Sequence, residues 1–173
     1  HPGQLKVNVS EFTARLKISA VPCDGGHTQT GWRIENITGG MIIRNDAFPG
    51  MCVDASEPGG QGSPGLGLRN CSTVEDILGC QRFVHDASGN IHAPDCLSNE
   101  GLFNDCFDIS GKKGPNMQLT HCYDAPNDHF TFGENGIWHS EAEGSLYPER
   151  CVQVEAVPSP VTFQVWSKPQ PAG

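Results

Sequence analysis

Positive charge is scarce in this sequence: 11 lysines and arginines stand against 20 acidic residues, a formal net charge of −9. Holding nucleic acid or an anionic membrane takes clustered Lys and Arg facing phosphates. No basic stripe occurs in the chain, so neither partner is expected. Long apolar runs are missing too. A membrane-spanning helix needs roughly 20 apolar residues in a row, whereas the apolar pieces here are short, such as Met41-Ile42-Ile43. No C-x-x-C pair occurs, which excludes zinc-ribbon and thioredoxin readings. There is no G-x-S-x-G nucleophile elbow.

What the chain does have is glycine and proline. Its 21 Gly and 13 Pro make up roughly a fifth of 173 residues, with Val, Ile, Phe and Thr in short runs between them. That composition disfavours a helical bundle and favours short strands joined by tight turns. With 36% apolar residues the chain can bury a real core. Its length suits one domain spanning residues 1–173.

Eight cysteines, an even number, suggest four disulfides and an oxidising compartment. Sequons at Asn8, Asn36 and Asn70 fit a secreted glycoprotein. A first residue of His1 rather than Met suggests a trimmed N-terminus, native or excised.

A threefold echo organises the rest. One copy runs Cys52-Val53-Asp54-Ala55, a Gly-rich loop, Leu66 to Cys71, Gln81-Arg82-Phe83, then Gly89-Asn90-Ile91-His92. A second runs Cys106-Phe107-Asp108-Ile109, a Gly-Lys-Lys-Gly loop, Met117 to Cys122, Asp128-His129-Phe130, then Gly136-Ile137-Trp138-His139. The third starts at Cys151-Val152-Gln153-Val154 and stops short of a second cysteine. Its missing half lies at the other end, where Leu16 to Cys23 and Gly31-Trp32-Arg33-Ile34 resemble the absent parts. The units are thus about 40–83, 89–130, and 136–157 with 13–34.

Eight cysteines leave roughly a hundred connectivities open. The echo selects Cys52 with Cys71, Cys106 with Cys122 and Cys151 with Cys23, and leaves Cys80 for Cys96.

Three units of short strands with Gly or Asn corners predict an all-β fold, a β-trefoil whose third repeat is assembled from both termini. Trp32, Phe83 and Phe130 fall at equivalent places and are expected to plug the core. Alternation at 5–9 and 161–166 predicts that the two ends pair as a clasp, 4–9 with 161–167. A rival registration uses Gln164 and Trp166 as the third unit's strand. The tail from Lys168 to Gly173 is expected to be mobile.

The Cys-Val-Asp and Cys-Phe-Asp corners, the Gln118-Leu119-Thr120 segment and the second cysteines resemble the ricin B-type lectin family, from about Leu16 to Val157. The resemblance implies a β-trefoil binding galactose or N-acetylgalactosamine in up to three shallow pockets. Each such pocket uses a corner Asp, an aromatic ring and an Asn or Gln. Carried onto this chain, the carbohydrate-binding set is Asp108, Gln118, Tyr123, Asn127 and Asp128, with Thr120 where a ring is usual and Tyr123 as its substitute. The chemistry is general: a carboxylate accepts from sugar hydroxyls, an amide donates and accepts, and a ring covers apolar C–H surface. The first unit keeps Asp54 but has Gly67 and Arg69 in place of the amide and ring. The third has Gln153 at the corner, with Asp24 and His27 as its polar neighbours.

Plain structural roles compete with these. Asp54 and Asp108 can fix their corners as Asx turns, Gln118 can be a satisfied inward amide, and Tyr123 can shield the Cys106 to Cys122 bridge.

Other classes are weaker. His1 offers a free-amine histidine of the kind that clamps copper in secreted monooxygenases, with His27, His85, His92, His121, His129 and His139 as partners. No spacing ties two of them into a site. No catalytic residue, metal or cofactor is predicted. The stronger competitor is a protein-binding trefoil, an inhibitor or effector. It would act through the Glu57 to Gly67 loop, the Thr73 to Gly79 loop with Glu75 and Asp76, or the acidic Ser140 to Arg150 loop with Leu146 and Tyr147 as anchors. The expected partners are therefore glycans or glycoproteins, or a protein target.

Overall fold

Short alternating segments between glycine corners become strands, and no α-helix occurs among the described residues. The computed structural model describes residues 6–9, 15–23, 30–58, 64–72, 79–97, 103–157 and 163–166. The strands are β1 (Lys6–Val9), β2 (Arg15–Pro22), β3 (Trp32–Ile37), β4 (Gly40–Asn45), β5 (Met51–Pro58), β6 (Pro64–Asn70) and β7 (Val84–His85). They continue as β8 (Ile91–Ala93), β9 (Asp105–Ile109), β10 (Met117–Thr120), β11 (Phe130–Phe132), β12 (Trp138–Ser140), β13 (Arg150–Val157) and β14 (Phe163–Trp166). Two single turns of 3-10 helix, Ser110–Lys112 and Pro126–Asp128, interrupt them.

The chain divides into two compact units, Leu16–Glu155 and the ends His1–Arg15 with Ala156–Gly173. In the latter, β1 pairs antiparallel with β14, from Lys6 opposite Trp166 to Val9 opposite Phe163. Gln164 and Trp166 therefore lie in this two-stranded ribbon and not in the larger sheet, which sets aside the rival registration.

The other twelve strands form one sheet that follows the repeat. Strands β3 to β6 pair in succession, β7 to β10 do likewise, and β11, β12, β13 and β2 make the third series across the chain ends. The last strand of each series meets the others. Lys17 of β2 faces Gly67 of β6, Gly65 of β6 faces Gln118 of β10, and Ser19 of β2 bridges Asn116 beside β10. The sheet is thus antiparallel and curled.

A second set of contacts links each glycine corner to an aromatic segment. Phe83 N donates to Met41 O at 2.9 Å, Phe130 N to Gly89 O at 2.8 Å, and Trp32 N to Gly136 O at 2.8 Å. Trp32, Phe83 and Phe130 are all buried, as their equivalent positions require. They share one core with Ile18, Val53, Leu66, Phe107 and Trp138. Each fully buried large side chain of this kind stabilises the fold by about 1.5–3 kcal/mol.

Three disulfides follow the repeat, Cys52 with Cys71, Cys106 with Cys122, and Cys23 with Cys151 across 128 positions, and the remaining two cysteines pair as Cys80 with Cys96. No cysteine is free. Four bridges suit an oxidising environment, and among the described residues no helix is long and apolar enough to cross a membrane.

The corners leave little room. A Cβ on Gly40 would lie 2.4 Å from Phe83 O, an atom that cannot retreat while Phe83 and Met41 exchange backbone hydrogen bonds. Gly40→Ala is expected to cost on the order of 1–3 kcal/mol in urea denaturation, as overpacking does. Gly50→Ala is the comparator, with φ of 82° and nothing within 4 Å of its Cβ. A loss at Gly40 no larger than at Gly50 would argue against the close approach.

Candidate functional site

Strands β9 and β10 pair with Asp108 opposite Gln118, so the corner carboxylate and the amide face each other across one rung. Gln118 Nε2 donates to Asp108 Oδ2 at 2.8 Å. Asn127, carried in by the Pro126–Asp128 turn, donates from Nδ2 to Asp108 Oδ1 and, at 3.0 Å, to Ile109 O. Asp108 and Gln118 are half-buried, whereas Asn127 and Asp128 are buried. A carboxylate has about four acceptor sites. Two are taken by these amides.

Asp128 is the unusual member. It is 1% exposed, its Oδ2 takes the Ala125 N–H at 3.4 Å, and no donor among the described residues meets its Oδ1. Burial pushes its carboxyl up to about 7, helped by a hydrogen bond with Asp108 and by that residue's charge, while the backbone N–H groups of Ala125 and Tyr123 pull partly the other way. An acid so placed still carries its proton about half the time at pH 7, where an ordinary Asp is fully ionised.

Tyr123 extends into solvent at 73% exposure, with the His121 ring edge-on at 5.2 Å. The structure thus gathers Asp108, Gln118, Asn127 and Asp128 into one hydrogen-bonded group. Tyr123 stands apart as an exposed ring tied to the group through its backbone.

The first unit builds the same corner differently. Asp54, opposite Gly67, is 7% exposed. Its Oδ1 accepts from Ser56 N at 2.8 Å in an Asx turn and also from Ser56 Oγ. Its Oδ2 accepts from Gln81 Nε2 at 2.9 Å, and Gln81 Oε1 in turn accepts from Ser72 N at 2.9 Å. Every group there has a structural partner, so the corner is closed. In the third unit Gln153 is half-buried, while Asp24 and His27 lie outside the described residues.

A second polar cluster carries no family signal and was not singled out by the sequence reading. Asp86 Oδ1 accepts from Ser88 N and Asn90 N in a turn whose Asp-Ala-Ser-Gly-Asn sequence is an Asx signature. Its Oδ2 meets His92 Nε2 at 2.6 Å. Burial raises the Asp86 carboxyl, but the hydrogen bonds from His92, Asn90 and Ser88 outweigh this and hold it at about 2. Nearby, Asp124 Oδ1 pairs with His129 Nε2 at 2.8 Å and accepts from Asn90 Nδ2 at 3.4 Å, and these bonds lower its carboxyl.

The other ring of His92 chemistry is its Nδ1, which lies 3.5 Å from Cys106 Sγ and 3.6 Å from Cys122 Sγ. Among the described residues these three form the one grouping of metal-ligand type. Both sulfurs are spent in their disulfide, so no thiolate is left to ligate.

The copper alternative needs histidines that are free to converge. His85 Nε2 contacts Phe130 O at 2.8 Å and His139 Nε2 contacts Thr131 Oγ1 at 2.7 Å. His1 and His27 lie outside the described residues, as do loop residues 59–63 and 73–78, with Glu75 and Asp76, and the tail from Lys168. Of the anchors on the 140–150 loop, Leu146 is exposed. Tyr147 is half-buried, with Lys112 Nζ 5.1 Å from its ring centre, because the cation covers the ring face that was expected to be free.

No family model, curated protein or solved structure matches the chain.

Proposed function

We propose that the chain is a secreted carbohydrate-binding module of β-trefoil architecture, with one working pocket around Asp108 that takes galactose-type termini. The observation that carries this reading is the contrast between two equivalent corners. Asp54 is buried with its oxygens bonded to Ser56 and Gln81, whereas Asp108, bonded to Gln118 and Asn127, is only half-buried and so partly open to solvent. Neighbouring hydroxyls on a sugar are the ligand such a group suits. The exposed Tyr123 ring offers an apolar face close by.

Three series of four strands, the mutual contacts of β2, β6 and β10, and the threefold recurrence of a backbone hydrogen bond from the aromatic plug to the corner support the trefoil. The Cys-x-Asp corners and the Gln118 segment support the resemblance to ricin B-type lectins. Four disulfides support a secretory route, and exposed Asn36 and Asn70 leave two of the sequons open to glycosylation.

A glycan array of wild type beside Asp108→Ala and Tyr123→Ala tests the reading. Binding to galactose-type termini is expected for wild type. It should be lost in Asp108→Ala and weakened about two- to tenfold in Tyr123→Ala, since a stacked ring contributes on the order of 0.5–1.5 kcal/mol. A folded wild type silent on the array would sink the proposal. The alternative would then be a protein-binding trefoil using exposed apolar residues such as Leu97, Phe103 and Leu146.

A further inference from the structure

The first two units can be compared position by position, because a polar residue stands two places before the aromatic plug in each. Gln81-Arg82-Phe83 in the first unit corresponds to Asp128-His129-Phe130 in the second. Gln81 donates an amide N–H to the corner carboxylate of Asp54. The second unit has a carboxyl where the first has an amide, on the turn that packs against β9 and whose Asn127 bonds Asp108.

Two ionised carboxylates in that arrangement would repel and leave a buried oxygen without a donor. Asp128 Oδ1 is that oxygen. One proton resolves both problems, since a protonated carboxyl carries an O–H donor and no charge.

We propose that Asp128 is a positioning residue that acts as a neutral carboxylic acid, donating a hydrogen bond to Asp108 as Gln81 does to Asp54, and that its ionisation disables the ligand pocket. The inference deepens the carbohydrate-binding reading and, in its ligand arm, rests on it. The pocket becomes one that holds its ligand in acid, loses it through neutrality and releases it in alkali.

The charges around Asp128 leave Asp108 as the group that controls it. The Pro126–Asp128 turn packs on β9 and β12. From β9 come Asp108 and the buried Asp105. From β12 comes His139, whose Nε2 is bonded to Thr131 Oγ1. Flanking the turn, Asp124 and His129 pair with each other. The charge that acts on Asp128 is that of Asp108.

The sign of the linkage follows. The native state holds the Asp128 proton more tightly than the unfolded chain, whose Asp titrates near 3.9. Stability from this group is therefore full below about pH 4, falls as pH rises towards about 7, and is level above. The low Asp86 carboxyl acts in the opposite sense, with a contribution lost as pH falls from about 4 towards 2.

The experiment compares the intact protein with Asp128→Asn, an isosteric donor that cannot ionise. Urea midpoints are measured from pH 4.5 to 8.5 and read as the difference between the two proteins, which cancels the histidines. The wild type should lose ground steadily to the variant up to about pH 7 and then run parallel to it. A difference that does not change with pH overturns the proposal. Should Asp128→Asn fail to fold, carbon-detected NMR of the wild type reads the Asp128 carboxyl directly, and a midpoint below pH 5 overturns it.

The ligand arm uses a galactose-bearing glycan. If only the protonated form binds, wild-type affinity should be about tenfold weaker at pH 8 than at pH 6. Whatever its affinity, Asp128→Asn should show no such break. Loss of the break in wild type, with binding present, counts against the pocket role. Absence of glycan binding with the stability profile intact overturns the lectin reading and that role, and leaves the shared proton standing.

Discussion

Replacing Cys23 and Cys151 together with alanine is expected to destabilise the protein by about 4–5 kcal/mol, against about 3 kcal/mol for the Cys80 and Cys96 pair. The two bridges differ in the length of chain that they close, 128 positions against 16. In the chain-entropy account the penalty removed from the unfolded state grows with the logarithm of that length. The other three bridges lie within the long loop and shorten it, but halving its length would remove only about 0.6 kcal/mol. Urea denaturation of both double variants, with the remaining disulfides verified by mass spectrometry, gives the ranking. Equal losses would mean that the unfolded chain already keeps its ends together without the bridge.

That bridge also shows how far the sequence could be read. Cys151 lies in β13 and Cys23 just after β2, the last two strands of the third series, yet the two lie near opposite ends of the chain. Pairing them required seeing that Leu16 to Cys23 echoes Leu66 to Cys71 and Met117 to Cys122. Local propensity carries no such information, since a strand reads alike wherever its partner lies in the chain. Period and spacing carried the architecture.

The site was legible to the same depth. Asp108, Gln118 and Asn127 are named through the resemblance to ricin B-type lectins, and the fold brings them together, Asp108 opposite Gln118 on one rung and Asn127 from the neighbouring turn. The raised carboxyl of Asp128 could not be read in this way, because it arises from burial and from the hydrogen bond and charge of Asp108. Its letter alone reads as an ordinary solvated acid. The closing of the Asp54 corner escaped for a related reason. Gln81 reaches it across 27 positions, and its Oε1 is taken by Ser72 N from yet another segment. The His92 contact with a disulfide likewise needed the fold, which brings β8 beside β9.

The core makes the second large prediction. The hydrogen bonds from Phe83 to Met41, Phe130 to Gly89 and Trp32 to Gly136 set a common register, and two residues further on stand Ile43, Ile91 and Trp138, all 0% exposed. One indole therefore fills what two isoleucines fill elsewhere. Trp138 meets Trp32 edge-on at 5.1 Å and stacks on Phe132 at 5.3 Å, with Phe107 at 5.9 Å and Phe130 at 6.1 Å. Trp138→Ala should cost about 3–5 kcal/mol, as truncations of buried Trp do, because the rings around it cannot all collapse inwards.

Its N–H, however, is buried with no partner among the described residues. A stranded donor costs about 1–3 kcal/mol, so Trp138→Phe relieves that penalty while surrendering part of the ring, and its net cost should stay below about 1.5 kcal/mol. Trp32 is the control. Its Nε1 donates to Val152 O at 3.0 Å, so Trp32→Phe removes a satisfied bond as well as ring volume. Denaturation midpoints should rank Trp138→Ala as most damaging, Trp32→Phe next and Trp138→Phe least. If Trp138→Phe proved as costly as Trp32→Phe, the indole N–H would have to find a partner, most simply a buried water. The core of the third unit would then be held by a polar contact where the other two units use apolar packing alone.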